Sequence, residues 1–401
     1  MGRGYLPCMV PATISPECQL VFRSADPACD RSTYAALARE VEDWPRVFAL
    51  AERELATLGL FRGLSDAEVP VPAEALNAIR KSALQTDLRM QQLARRLQHS
   101  VNGLEARGIP CLLLKGAAVG ALTDPTLRAR PMTDLDILVH REDAPRASEA
   151  LLEAGWSVTT NPVYLEVLKD AHHLPHFVDP SQPGIRLELH VSLMPDDQPF
   201  TFDEAMLWHE ARPAPPPFAG ALVPQPEQLA LHSCLHFAWQ HMLIFGAWRT
   251  FRSVSELARL PGFDWNRFAI LATEGRAGTA CYWTLRLAHC MSGVAVPPEI
   301  LERLAAPTPE WAQAALERHF IAGIAPGEGP ASPSARLTRW LWRAALRPGS
   351  SRHIRRGRGD RDRRWVEALG EASTETLPQR LARHVVSYRT WVAYLSRTLL
   401  R

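Results

Sequence analysis

Leu93, Leu97, Val101 and Leu104 recur at spacings of four, four and three residues, the period of one buried helix face, and the run stops at Gly108 and Pro110. Helical patterning reaches back to about Ser32, so residues 31–108 read as a helical lead-in. Residues 1–30 are rich in Pro and Cys, show no sustained period and read as an irregular arm. After Gly108 the period changes. Residues 109–114 form a short apolar run of buried-strand type, Lys115-Gly116 breaks it, and residues 117–122 suit one or two helical turns. Residues 134–139 predict a second strand. Ala144, Ala147, Ala150, Leu151 and Ala154 mark the next helix face, opened by Glu142 and Asp143 where the helix dipole favours acids and closed by Gly155. Further on, Ile185, Leu187, Leu189 and Val191 alternate with Arg186, Glu188 and His190, which predicts a strand with one apolar face and one polar face. The turn chemistry of Asp179-Pro-Ser-Gln-Pro-Gly184 joins it in a hairpin to residues 173–178.

A Pro-rich stretch, 213–226, reads as a linker, so the α/β core is expected over 109–212 and a helical C-terminal domain over 227–401. In that second part Leu231, Cys234, Leu235, Ala238 and Met242 make one helical stripe, and Phe251, Val254, Leu257 and Ala258 begin another that ends at Pro261-Gly262. The expected class is α+β: a mixed sheet with flanking helices, a helical segment before it and an all-helical domain after it.

Composition narrows the function. A chain of 401 residues exceeds one small core, and 46% hydrophobic with 22% charged residues is ordinary globular composition. A formal net charge of +2 excludes a bulk polycation, so any anionic partner must be met locally. The local exception is 347–364, with eight Arg against two Asp, which reads as a solvated loop more readily than as a nucleic-acid contact because no aromatic residue interrupts it before Trp365. The seven cysteines contain no C-x-x-C pair and the N-terminus lacks signal-peptide order, which suggests a reducing cytoplasm. The most apolar window, 236–248, holds two His and is about half of the roughly 20 residues a membrane span requires.

The sharpest chemical feature is Arg130-Pro-Met-Thr-Asp134-Leu-Asp136-Ile-Leu-Val139. On an extended strand Asp134 and Asp136 project to one side about 7 Å apart, while Leu135, Ile137 and Val139 face a core. Two carboxylates so placed suit a hard cation such as Mg²⁺ or Mn²⁺, which shares its shell with water and substrate phosphates; the same tripeptide also occurs as a solvated strand start. Upstream, Leu112-Leu-Leu-Lys115-Gly116-Ala-Ala runs from strand through glycine into helix, a geometry whose free N–H groups hold phosphate oxygens or simply make a turn. Glu188, on the polar strand face, is either a third carboxylate or a surface partner of Arg186. His172, His173, His176 and His190 gather near the hairpin and invite a metal-dependent phosphohydrolase reading, although no H-e-x-x-H spacing is present. His173 and His190 are read as lining the nucleotide site or orienting Glu188. His232 and His236, at i and i+4, read as the flank of an apolar stripe with a metal pair as the alternative.

Taken together, Leu114-Lys-Gly116, Arg130-Pro with Asp134-x-Asp136, His173-Leu-Pro-x-Phe177, Glu188-Leu-His190 and a helical stretch from Arg252 to Leu260 with Glu256 at its acidic place resemble the polymerase-beta-type nucleotidyltransferases. Within them the chain is similar to the uncharacterised nucleotidyltransferase family proteins of bacterial polysaccharide and peptide natural-product clusters. The resemblance covers about residues 95–260. It implies that Asp134 and Asp136 bind two Mg²⁺ ions, that Glu188 is the third carboxylate, and that Lys115-Gly116 belongs to the phosphate loop of an NTP such as ATP. Arg130, His173 and His190 fall on the nucleotide side. The implied reaction is transfer of a nucleoside monophosphate to an unidentified acceptor: sugar, peptide, protein or RNA. One departure is Ala117, which stands where the wider superfamily carries a hydroxyl residue. The other reading of the same fold is a catalytically silent scaffold that binds nucleotide or a partner.

Overall fold

A computed structural model describes residues 14–158, 172–195, 198–306, 308–346 and 389–398. The basic segment 347–364 lies outside them. The lead-in is helical: α1 (Pro16–Arg23), α2 (Arg31–Glu40), α3 (Trp44–Glu54), α4 (Thr57–Ala67) and the long α5 (Ala73–Ala106). The expected α5 stripe is wholly buried, with Leu93, Leu97, Val101 and Leu104 at 0% exposure. Gly108 takes the left-handed conformation just after it (φ 63°), which glycine adopts without the Cβ penalty.

The irregular arm expected over 1–30 is corrected by α1. Ser15 caps this helix by accepting from the Cys18 N–H, Pro16 occupies its first turn, and Leu20, Val21 and Phe22 are fully buried. A helix of eight residues is marginal alone, so its face packed on the remainder of the molecule holds it.

The core elements follow as β1 (Leu112–Leu113), α6 (Lys115–Thr123), β2 (Leu135–Leu138), α7 (Ala144–Glu153), β3 (Ser157–Val158), β4 (Phe177–Asp179), β5 (Gln182–His190), α8 (Glu204–Glu210), β6 (Arg212–Pro213) and β7 (Leu222–Val223). Among the described residues these strands make one seven-stranded mixed sheet in the order β3-β4-β5-β2-β1-β7-β6. β4 and β5 form the expected hairpin, with Val178 opposite Arg186. β2 lies between β1, antiparallel, and β5, parallel. The parallel register pairs Asp136 with Glu188 and Ile137 with Leu189, which sends apolar side chains to the core and stacks the two acids on neighbouring strands.

The stretch 213–226, expected as a linker, instead carries β6 and β7, and Leu222 pairs with Leu112 of β1. Its prolines mark an edge strand and tight turns, where a missing N–H costs no ladder bond. The helical part begins with α9 (Pro226–Leu235), runs through a π-turn over His236–Gln240, and continues with α10 (Ala247–Ala258), α11 (Trp265–Glu274), α12 (Gly278–Ser292), α13 (Pro298–Leu304), α14 (Glu310–Ile324) and α15 (Ala335–Leu346). α6 packs against both α9 and α10 and also against β1 and β2, so it joins the helical part to the sheet. A single apolar cluster runs through the lead-in, the sheet and these helices. No described helix is long and apolar enough to cross a membrane. Cys18, Cys29, Cys111, Cys234 and Cys281 are free thiols, whereas Cys290 is disulfide-bonded, a bond that a reducing compartment does not lead one to expect.

Candidate active site

A cavity of about 340 Å³ opens between the sheet and α9–α10. Its sheet side carries Lys115, Gly116, Asp134, Asp136, His173 and Glu188; its helical side carries His236, His241, Arg249 and Thr250. The expected acids are thus gathered, although Asp134 sits in the bend just before β2 and only Asp136 belongs to the strand.

The centre is a buried charge cluster. Lys115 Nζ donates to Asp136 Oδ1 at 2.7 Å and lies 3.5 Å from Glu188 Oε2. His190 Nε2 lies 2.9 Å from the same Asp136 oxygen and 3.4 Å from Glu188 Oε2, while His176 Nε2 meets the other oxygen, Oε1, at 3.0 Å. Glu188 is therefore turned into the site and not toward the exposed Arg186. The histidines arrive because residues 172–174 run beside the end of β5: Leu174 N–H donates to the Leu189 carbonyl at 2.9 Å and Val191 N–H to the His172 carbonyl at 2.9 Å.

These neighbours decide the ionisation. Burial works against a charged Asp136, but Lys115 and His190 outweigh it and hold its carboxyl below the usual range. Burial likewise opposes Glu188, and hydrogen bonds from His176 and His190 with the Lys115 charge hold it far lower. Asp134 goes the other way, raised by burial and by the Asp136 charge. His190, although buried, is pushed up by its bonds to Asp136 and Glu188.

Lys115, expected on the phosphate loop, is engaged with the two acids, and it opens α6 in the left-handed conformation (φ 46°). α6 has no side-chain cap, so its first N–H groups remain available beside Gly116 at the cavity wall. A Cβ on Gly116 would come within 2.7 Å of Met132 Cγ and Sδ, so a side chain there requires the Met132 side chain to shift. Arg130, 5% exposed, is bound to Glu256 and Ser253 of α10 and forms part of the cavity wall through that link.

Sequence reasoning missed the opposite wall. Gly246 starts α10 at φ 70° with no side-chain cap, and Arg249 and Thr250 of its first turn face the cavity. His236 meets His241, Nε2 to Nε2 at 3.1 Å, and not the i−4 neighbour His232, whose ring centroid is 6.3 Å away. Burial and then the Arg249 charge pull His241 down to about 4. The available signals were the His232 and His236 pair and the apolar window 236–248, whose two histidines are unusual in a run of that character; neither placed His241, Arg249 or Thr250 at a cavity.

A mixed sheet that presents two acids on adjacent parallel strands, with a third acid and an uncapped helix start at one cavity, defines a nucleotidyltransferase-like fold. The chain belongs to the family described as uncharacterised nucleotidyltransferase, whose model matches residues 40–293, from the lead-in through the sheet to the end of α12. No curated protein and no solved structure matches it.

Proposed function

We propose that the protein transfers a nucleoside monophosphate from an NTP to an acceptor in an Mg²⁺-dependent reaction. The observation that carries this reading is the pairing of Asp136 with Glu188 across β2 and β5, with Asp134 at the same cavity. The donor set fits a hard cation. Asp136 and Glu188 share one lysine, while Asp134 at the same cavity makes no ion pair among the described residues and is raised by burial and by the Asp136 charge. Asp134, Asp136 and Glu188 would hold the Mg²⁺, which would supply the positive charge that screens the phosphates from an incoming nucleophile.

The chain's own groups do the rest. The N–H groups at the start of α6 receive phosphate oxygens, and the Lys115 ammonium, with three donors, serves both its acids and a phosphate. Arg249 and Thr250 meet the ligand from the opposite wall. An acceptor oxygen attacks the α-phosphorus, the bond to the pyrophosphate oxygen breaks, and pyrophosphate leaves with the electron pair. Glu188, held ionised by Lys115 and its histidine partners, orients the attacking hydroxyl, whose proton passes to solvent as the new bond forms.

The test is incubation of the full chain with each α-labelled NTP, Mg²⁺ and a cell extract. Label on a new molecule, lost in Asp136→Asn, supports transfer. Labelled free nucleotide with no acceptor product points to hydrolysis, and nucleotide bound without turnover points to the silent scaffold.

A further inference from the structure

Glu188 uses its two oxygens in opposite directions. Oε2 faces Lys115 and His190, the carboxylate side of the site, while Oε1 faces His176. On the Oε1 side a second donor set is complete: His173, His176 and Glu188 each offer a ligand atom, all within 4.8 Å of one another, and all three residues are half-buried. The rings of His173 and His176 are nearly parallel, 29° apart with centroids at 5.7 Å.

The orientation of His173 is the second, independent observation. Its Nδ1 lies 2.8 Å from the Leu174 carbonyl, which only accepts, so Nδ1 carries the proton and Nε2 is left with its lone pair. A ring nitrogen anchored on a backbone carbonyl while the other stays free is how imidazole ligands are usually held for a metal. The segment bearing it is fixed in turn, since His173 pairs with His190 at the end of β5. His173 also lines the cavity, so a ion on this side touches the space where a ligand binds.

We infer that His173, His176 and Glu188 form a separate site for a divalent transition cation of the Zn²⁺ and Co²⁺ class, next to the three-acid site and sharing Glu188 with it. Two imidazoles in a set of three disfavour Mg²⁺, which prefers oxygen, and suit Zn²⁺ or Co²⁺. A tetrahedral ion with bonds of about 2.1 Å spaces its donors roughly 3.4 Å apart, so side-chain rotation of about an ångström closes the set. Three protein ligands leave a fourth position open to water or a phosphate oxygen, the pattern of a catalytic and not of a structural zinc. On binding, the ion replaces the proton shared between His176 and Glu188, which is released to solvent.

The inference does not require nucleotidyl transfer, and its test reads the metal directly. The full-length protein is titrated with Co²⁺ in millimolar Mg²⁺, with visible absorption reporting the ion, and pulsed electron spin resonance of bound Cu²⁺ reporting nitrogen ligands. One Co²⁺ site that resists Mg²⁺ is expected. His173→Gln and His176→Gln should each weaken it at least about tenfold, by analogy with the losses seen on disturbing metal-site partners, and should remove the nitrogen signal. Asp134→Asn should leave it in place. Circular dichroism and melting identify a variant that has lost its fold; His176→Asn is the alternative there. Absence of nitrogen coupling in the wild type, or a Co²⁺ site unchanged in the folded His173→Gln and His176→Gln proteins, overturns the inference. Failure of nucleotidyl transfer with the Co²⁺ site intact would count against the proposed reaction alone.

Discussion

Lys115 stands between Asp136 and Glu188 with only a fifth of its side chain exposed, so it balances buried charge before it can serve a ligand. Removing one member of a buried pair leaves the other uncompensated, at a cost of about 3–5 kcal/mol. Lys115→Met should therefore destabilise the apoprotein on the order of 3 kcal/mol, and added Mg²⁺ should recover more stability in the variant than in the wild type. Denaturant melts with and without Mg²⁺ check this, and equal Mg²⁺ gains in both proteins would separate Lys115 from the cation site. His232, 4% exposed, gives a pH dependence: burial and then the Lys115 charge pull it down to about 3. The unfolded chain, with an ordinary histidine near 6.5, binds a proton that the folded chain refuses, so this contribution is whole above about pH 6.5 and declines as pH falls toward 3. One such group contributes a slope of about 1.4 kcal/mol per pH unit in that window. His232→Gln should flatten the fall of melting temperature between pH 7 and 5, and an unchanged profile would assign the acid limb to other groups.

At the scale of elements, α10 decides the shape of the cavity's far wall. Arg130 from the approach to β2 and Arg252 from α10 itself both engage Glu256, and all three side chains are nearly buried. Glu256→Gln leaves two buried guanidinium groups facing an amide and should cost about 3–5 kcal/mol. Replacing all three by apolar residues should recover part of it, as buried ion clusters often allow. Urea unfolding of the single and triple variants measures both steps. The helices were the legible part of the sequence, because a sustained period over many residues, as in α5, outweighs local noise. The π-turn over His236–Gln240 was not legible. The stripe through Leu231, Cys234, Leu235 and Ala238 reads as one unbroken helix, and only packing turns Met242 and Leu243 left-handed (φ 54° and 59°) to bring His241 against His236.

For the molecule as a whole, the lead-in braces the site from behind. Trp248, buried beside Arg249, donates from Nε1 to Ser24 Oγ at 2.9 Å, and its backbone N–H donates to Glu54 at 3.1 Å. It also packs so closely on α4 that a Cβ on Gly59 would lie 2.5 Å from its ring. Trp248→Ala should cost about 3–5 kcal/mol and, by loosening the first turn of α10, weaken nucleotide binding; calorimetry with Mg²⁺ and the four NTPs tests the second part.

The sequence by itself determined the α+β class, the hairpin, the Asp134-x-Asp136 pair and the family resemblance, since alternation, turn chemistry and a motif of fixed spacing are local properties of the chain. For Glu188 the alternating strand left two readings, a third carboxylate or a surface partner of Arg186, and only the resemblance favoured the first. Its pairing with Asp136 depends on which strands become neighbours and in which register, and that is settled by burying Leu135, Ile137, Leu187 and Leu189 in one core. The same holds for the stretch 213–226, whose prolines look like a linker until β1 supplies a partner for β7. Tertiary structure alone placed Lys115 between two acids, set Arg249 opposite them and turned the two oxygens of Glu188 toward different neighbours. Charges taken out of water must find partners wherever the fold brings them, and distance along the chain carries no information about who those partners are.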